Sequence, residues 1–356
     1  MGEGPGERVA IMYKSLRPLI FMNDPEQAHH ATIGFLTLGG SHKLGCKLIR
    51  AMFPVHQNGP EVKAFGLTFP NPLGMAAGYD KEGTAWRGLA CLGFGHIEVG
   101  TVTPRPQPGN PKPRVFRLVE DEAVINRMGF PGSGANAMLH NLDHPKPNAL
   151  VLGVNIGKNK DTPLERASED YVALVRAFAP KADYLAVNIS SPNTPGLRTL
   201  QKREALEALL IPIAAERSAQ VKALNKPVPV LVKLAPDLSD EELDFALEVI
   251  QSAGLEGVII GNTTIRREGL TSTKASQEGG LSGKPLNDLN TAMIKKVYAR
   301  TSGRLPIVAS GGVMCAADAQ QKLDAGAVLV QLYTGLIYEG PGLVAKMINH
   351  GLILHS

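Results

Sequence analysis

The densest chemistry in the chain lies in one stretch, Asn188-Ile-Ser-Ser-Pro-Asn-Thr-Pro-Gly-Leu-Arg198. Two Asn, two Ser, a Thr and an Arg share it with two prolines and a glycine, so it is a shaped loop rich in donors and acceptors. A plain polar turn has the same residue types, but a loop of this density over a pocket is where function concentrates. An activated hydroxyl there can move a proton, and amides can pair with a ring carrying both N–H and C=O groups. Two lysines, Lys81 and Lys233, follow short apolar runs. Each suits a Schiff base, a phosphate ligand or a counter-charge for an anionic cofactor. Three glycine clusters, Gly279-Gly-Leu-Ser-Gly283, Ser310-Gly-Gly312 and Tyr333-Thr-Gly335, let backbone N–H groups approach a phosphate closely.

These residues need a scaffold. Eight short apolar runs begin near residues 73, 94, 149, 184, 228, 257, 306 and 327, and several lack strict alternation. That pattern fits parallel strands buried on both faces. Helical patterns fill most gaps, as at 163–179, 200–225, 239–253 and 286–301. The reading is a (β/α)8 (TIM) barrel, with a doubly wound open sheet as the main alternative. In a barrel the residues just past the strands form the active-site rim. Here these are Asp80, Lys81, Gly100, Thr101, Asn155, Asn188, Ser191, Lys233, Asn262, Thr263, Gly311, Gly312, Tyr333 and Thr334. Such a rim has no histidine and one carboxylate, which disfavours a metal site and paired-carboxylate hydrolysis.

Residues 1–60 read differently, as helices over 12–38, broken at Asn23-Asp24-Pro25, and over 41–53. Asp24 is placed to cap the second, with Pro25 at its first position. These helices are either a cap packed on the main domain or an amphipathic seat on a membrane interface. The 356 residues are 44% hydrophobic and 20% charged, with a net charge of +4 and no run of like charges. That composition excludes long-range disorder and gives no reason to expect nucleic acid as a partner. No apolar run reaches the roughly 18 residues of a membrane span, and no secretory signal is visible. Cys46, Cys91 and Cys315 are sparse, odd in number and far apart, which suits a reducing compartment. The proline-rich loop 104–114, with Arg105, Lys112, Arg114 and then Arg117, reads as a stiff surface connection. Gly132-Ser-Gly-Ala-Asn-Ala137 follows no good strand, so it reads as a loop and helix start rather than a dinucleotide site.

Several motifs, in order along the chain, resemble the dihydroorotate dehydrogenases. They are Ala76-Ala-Gly-Tyr-Asp-Lys81, Gly100 to Pro111, Ile125-Asn-Arg-Met-Gly-Phe130, Gly153 to Asn159, Asn188 to Arg198, Val232 to Asp237 and Gly280-Leu-Ser-Gly283, with the last two glycine turns. Serine in the Asn188 loop and the helical extension match the class 2, quinone-dependent branch. The resemblance implies oxidation of (S)-dihydroorotate to orotate through bound FMN in pyrimidine synthesis, with a quinone as electron acceptor. It implies Ser191 as the base, with Thr194 and Phe130 beside the proton's route. It places Lys81, Asn126, Arg127, Met128, Gly129, Phe130, Asn188, Asn193, Asn262 and Thr263 at the substrate. It places Ala77, Gly78, Thr101, Asn155, Asn188, Lys233, Gly261, Gly283, Gly312, Tyr333 and Thr334 at FMN, with no metal. Residues 1–60 become a membrane and quinone extension and 61–356 the FMN-binding barrel. The bacterial form is expected as a monomer held peripherally on the cytoplasmic face of the inner membrane. Tyr79 and Pro131-Gly132 depart from the family pattern, where leucine and an Asn pair are common.

Other readings fit the same residues. A class 1-type FMN barrel would pass electrons to fumarate or NAD, but its base is cysteine. A non-catalytic flavin-binding membrane protein and a phosphate-sugar isomerase share the architecture.

Overall fold

The computed structural model describes residues 5–56 and 59–354. The extreme ends of the chain and residues 57 and 58, which fall partly within the expected extension, lie outside the described residues. Three helices open the chain: α1 (Pro5–Met22), α2 (Pro25–Ser41) and α3 (Lys43–Met52). Asp24 caps α2 as its sequence position suggested, its carboxylate accepting from the N–H groups of Glu26 and Gln27, both at 3.0 Å. A hairpin follows, β1 (Val62–Ala64) with β2 (Leu67–Phe69).

The next segment holds β3 (Leu73–Met75), α4 (Trp86–Ala90) and β4 (His96–Val102). After β5 (Val115–Leu118), β6 (Ala123–Asn126) and α5 (Gly134–Asn141) come β7 (Val151–Ile156), α6 (Ala167–Phe178) and β8 (Tyr184–Asn188). Then α7 (Arg203–Leu224), β9 (Val230–Leu234), α8 (Asp240–Ser252), β10 (Gly257–Ile260), β11 (Gly280–Gly283) and α9 (Asn287–Thr301) follow. The chain ends with β12 (Ile307–Ser310), α10 (Ala316–Asp324), β13 (Leu329–Leu332), α11 (Thr334–Glu339) and α12 (Leu343–His350).

Strands β3, β4, β7, β8, β9, β10, β12 and β13 pair in parallel and close into a barrel. Each anticipated apolar run supplies one of them, and the open-sheet alternative falls. The hairpin plugs the barrel's base, where Phe65 and Phe69 pack with Val151, Tyr184, Leu231, Ile259, Val308 and Leu329. At the other end β5, β6 and β11 form a small antiparallel sheet that apolar periodicity did not reveal.

The helical extension is fixed to the barrel at many points. Tyr13 donates to the Ile337 carbonyl at 2.6 Å and Arg17 to that of Tyr338 at 3.0 Å. Helices α2, α3 and α4 meet backbone to backbone. A Cβ on Gly88 would stand 2.0 Å from the Leu36 carbonyl oxygen, and one on Gly45 2.4 Å from that of Gly39. Two expectations change here. Cys46 and Cys91 form a disulfide, leaving Cys315 as the free thiol. The packing of both α3 and α4 on α2 brings together two cysteines that lie 45 residues apart in sequence. The basic loop is also more than a surface connection: Arg114 and Arg117 are each 7% exposed and grip the helices. Arg117 donates to the carbonyls of Phe21 and Asn23, both at 3.0 Å, with its guanidinium over the Phe21 ring.

Candidate active site

The rim ends of the barrel strands surround one cavity of about 1010 Å³, part of it open to solvent. The Asn188 loop is anchored from several sides. Tyr171 donates to the Asn188 carbonyl at 2.9 Å. Arg198 binds the Ser190 carbonyl at 3.0 Å, the Thr263 carbonyl at 2.9 Å and the Asp237 carboxylate at 2.9 Å. Ser191 lines the cavity at 6% exposure, and its Oγ accepts the Asn193 N–H at 3.3 Å. Its proton is left for another partner. Ser190 is fully buried, with its Oγ between the side chains of Asn188 and Asn262. The Thr194 hydroxyl is buried without a partner.

Most of the expected site residues share this cavity. Lys81, Asn126, Met128, Gly129, Phe130, Asn188, Asn193, Asn262 and Thr263 line it together with Ala77, Gly78, Thr101, Lys233, Gly283, Gly312, Tyr333 and Thr334. Three others sit outside the lining. Asn155 lies beneath it, joined to Thr101 and Asn188. Gly261 is packed against the Ser310 carbonyl, where a Cβ would stand 1.9 Å away. Arg127 turns outward, donating to Gln277, Glu278 and Pro113 with its guanidinium over the Phe116 ring. Asp80 lies beside the site but serves its own turn, accepting from the N–H groups of Thr84 and Ala85. Burial raises its pKa to about 6 against those bonds. Two polar residues were missed. Gln331 lines the cavity, and Glu98 lies buried beneath it. Their signal was a polar residue inside a strand that must be buried on both faces.

Burial lowers the Lys81 pKa to about 8, and its ammonium donates to the Gly78 carbonyl at 2.5 Å. Burial lowers Lys233 as well, and the charge of Glu98 opposes that shift. Toward the helical extension the cavity wall is aromatic. Tyr333 meets Tyr79 edge to face at 5.6 Å, and Tyr79 meets His29 of α2 at 5.0 Å. Burial, with the charges of Lys81 and His30 added, lowers His29 to about 3 and leaves its imidazole neutral at pH 7. Tyr79 thus occupies the family's leucine position as the middle ring of this ladder, and Pro131 joins the cavity lining.

The family model for dihydroorotate dehydrogenase matches residues 60–353. The chain belongs to the dihydroorotate dehydrogenase family. A protein of Shewanella halifaxensis named dihydroorotate dehydrogenase (quinone) is 47% identical over 340 residues, covering 95% of this chain and 98% of its own. One of the same name from Acidithiobacillus ferrooxidans is 48% identical over 342 residues, covering 95% and 94%. The crystal structure of the Eimeria tenella enzyme in complex with ferulenol superposes with a TM-score of 0.83 at 38% identity, covering 91% of this chain and 90% of that one.

Dihydroorotate dehydrogenases of the quinone branch are FMN flavoproteins, and the cavity fits that cofactor. Gly311 and Gly312 have φ of +130° and +77°, conformations that leave room for an anion against the backbone. A Cβ on Gly312 would stand 2.3 Å from the Asn287 Cα, and one on Gly335 2.4 Å from the Val313 carbonyl. Lys233 brings a buried ammonium to the same cavity.

Proposed function

We propose that this chain oxidises (S)-dihydroorotate to orotate and passes the electrons to a membrane quinone. The observation that carries the reading is the joining, in one cavity, of a shielded serine hydroxyl, an asparagine cluster and two low-pKa lysines, with an aromatic wall leading to apolar helices. FMN, when bound, supplies the acceptor for the substrate's C6 hydride and the donor for the quinone.

The protein's own groups do the rest. Ser191 Oγ takes the proton from C5. Serine is a weak base, so its hydroxyl proton must leave as the new one arrives. The unpartnered Thr194 hydroxyl and the Phe130 ring are the groups assigned to that route. Asn126, Asn188, Asn193 and Asn262 match the alternating N–H and C=O groups of the pyrimidine ring. Asn193 donates to Asn126 at 3.3 Å, so these two amides orient each other. Lys81 offers its cation to the substrate carboxylate. Lys233 offsets the negative charge gained on reduction.

The membrane seat rests on surface chemistry. Of the fifteen exposed large hydrophobic residues among those described, nine lie between Met12 and Met52. Leu38 and Leu44 are both 69% exposed, and Lys43, Lys47 and Arg50 accompany them on or beside this surface. An apolar patch fringed with basic residues suits an anionic lipid interface. No helix among the described residues is long and apolar enough to cross a membrane. The proposal, following the family resemblance, is a peripheral monomer on the cytoplasmic face of the inner membrane. The quinone tail enters between the helices and reaches the His29–Tyr79–Tyr333 ladder. The test is anaerobic spectroscopy of the purified protein. A yellow protein should bleach with dihydroorotate and regain colour with a soluble quinone. A yellow protein that ignores dihydroorotate overturns the substrate, and recovery with fumarate or NAD but not quinone overturns the acceptor.

A further inference from the structure

Glu98 sits in the middle of β4, fully buried and outside the cavity lining. Three side chains donate to its carboxylate: Asn155 at 2.8 Å, Gln331 at 2.8 Å and Tyr184 at 3.0 Å. From Asn155 a chain of amides runs to the cavity. Asn155 gives its N–H to Glu98 and accepts at Oδ1 from Asn188 Nδ2 at 3.1 Å. Asn188 accepts at Oδ1 from Asn262 Nδ2 at 3.3 Å, and Asn262 accepts at Oδ1 from the Thr263 N–H at 2.8 Å. Every amide thus turns its N–H toward Glu98 and its carbonyl toward the next residue.

An amide's two ends are nearly equal in size and opposite in polarity, so a chain of amides alone could run either way. A carboxylate only accepts and the Thr263 backbone N–H only donates, so the two ends of the chain select the same direction. We propose that Glu98 is a positioning residue that holds the buried end of the Asn155–Asn188–Asn262 chain, in agreement with the Thr263 N–H at the other end, and so keeps fixed which groups the cavity offers to a pyrimidine. The proposal rests on the functional reading above. Its consequence at Asn188 is specific. Both Nδ2 hydrogens are engaged, by Thr101 Oγ1 at 3.0 Å and Asn155 Oδ1. Its Oδ1 accepts from Asn262 Nδ2 and from the Ser190 hydroxyl and N–H at 3.3 and 3.4 Å, so every polar atom of that side chain is committed and its orientation passes on to Asn262, which lines the cavity. Gln at position 98 would keep the volume but could donate to Asn155, turning that amide so that its N–H opposes the N–H of Asn188.

The experiment uses the full-length flavoprotein and reads orotate binding from the flavin's visible spectrum, with flavin content and Tm recorded beside it. Glu98→Gln should weaken orotate about tenfold, the size of one lost or opposed hydrogen bond. Its preference for orotate over ring-N-methylated orotate should shrink, a change that loosened packing alone would not produce. Tyr184→Phe removes a donor to the same carboxylate but lies off the chain, and should stay within roughly twofold of the parent. Asn155→Leu cuts the chain with Glu98 in place and should reproduce the Glu98→Gln loss, which decides the matter if Glu98→Gln does not hold flavin. Unchanged affinity and selectivity in the two chain variants overturns the proposal, as does an equal loss in Tyr184→Phe. A parent flavoprotein with no spectral response to orotate overturns the functional reading instead.

Discussion

Glu26, in the first turn of α2, and Arg114, in the proline-rich loop, form a two-pronged ion pair with both side chains under a tenth exposed. Burial pulls the Glu26 pKa up. The Arg114 hydrogen bonds and charge, with Lys112 and His30 nearby, outweigh this and hold it below the ordinary carboxylate range. Arg114 also donates to the carbonyls of Pro108 and Asn110, so the pair ties the helical extension to the loop beside the cavity. Removing one partner strands a charge in a site that excludes water. Glu26→Ala is expected to destabilise the docked helices by about 3 kcal/mol. Quinone turnover should fall more than flavin reduction by dihydroorotate, and stopped-flow measurement of the two half-reactions separates them. Equal losses in both would show that the pair does not serve the quinone side.

Ser191→Ala should slow flavin reduction by about 10²- to 10⁴-fold, the usual contribution of a positioned proton acceptor. Orotate binding should change little, because the amides remain. An unaltered reductive rate would remove Ser191 from the role of base.

The lowered pKa of Lys81 gives binding a pH signature. Its folded-state value of about 8 lies below the ordinary 10.5, so the ammonium persists below pH 8 and is lost above it. The unfolded chain holds that proton more tightly between pH 8 and 10.5, so this group's contribution to stability rises with pH across that window. Binding moves the other way: the orotate dissociation constant should increase as pH rises through about 8. Lys81→Met should bind weakly with no such step. A parent curve flat to pH 10 would exclude Lys81 as the carboxylate's partner.

Gly312→Val should yield protein without bound FMN. The valine side chain would stand against the Asn287 backbone at a φ of +77°. Absorbance at the flavin maximum after reconstitution with excess FMN measures this. Full loading would mean that the phosphate lies elsewhere.

The disulfide is open to a thiol count. Denatured without reductant, the chain should offer one reactive thiol, that of Cys315, and after reduction three. Three thiols without reductant would show Cys46 and Cys91 unpaired.

The barrel was legible in the sequence because its strands are buried on both faces, so runs such as Gly257–Ile260 carry an unbroken apolar signal. The β5, β6 and β11 sheet was not. Its strands are four residues long, and Ala123–Asn126 pairs with Gly280–Gly283 across more than half the barrel's sequence. No local pattern encodes such a pairing. Shorter but still non-local separations, 45 and 88 residues, hid the Cys46–Cys91 bond and the grip of Arg114 on Glu26. Rim residues such as Ser191 and Asn262 could be found because they follow strand ends. Glu98 was passed over because it lies within a strand. Arg127 adjoins a cavity residue on each side, yet its long side chain turns to the other face.

The glycine seam among α2, α3 and α4 bears on how variation in this protein should be read. At positions 40, 45 and 88 even a methyl group would meet backbone atoms at 2.0–2.4 Å, and backbone cannot step aside as a side chain can. A saturation screen scored by growth should find these three positions as intolerant as Ser191, although none lines the cavity. Intolerance there marks contact between main chains rather than contact with a ligand, and a functional map drawn from such scores alone would place a second active site where the molecule has a joint.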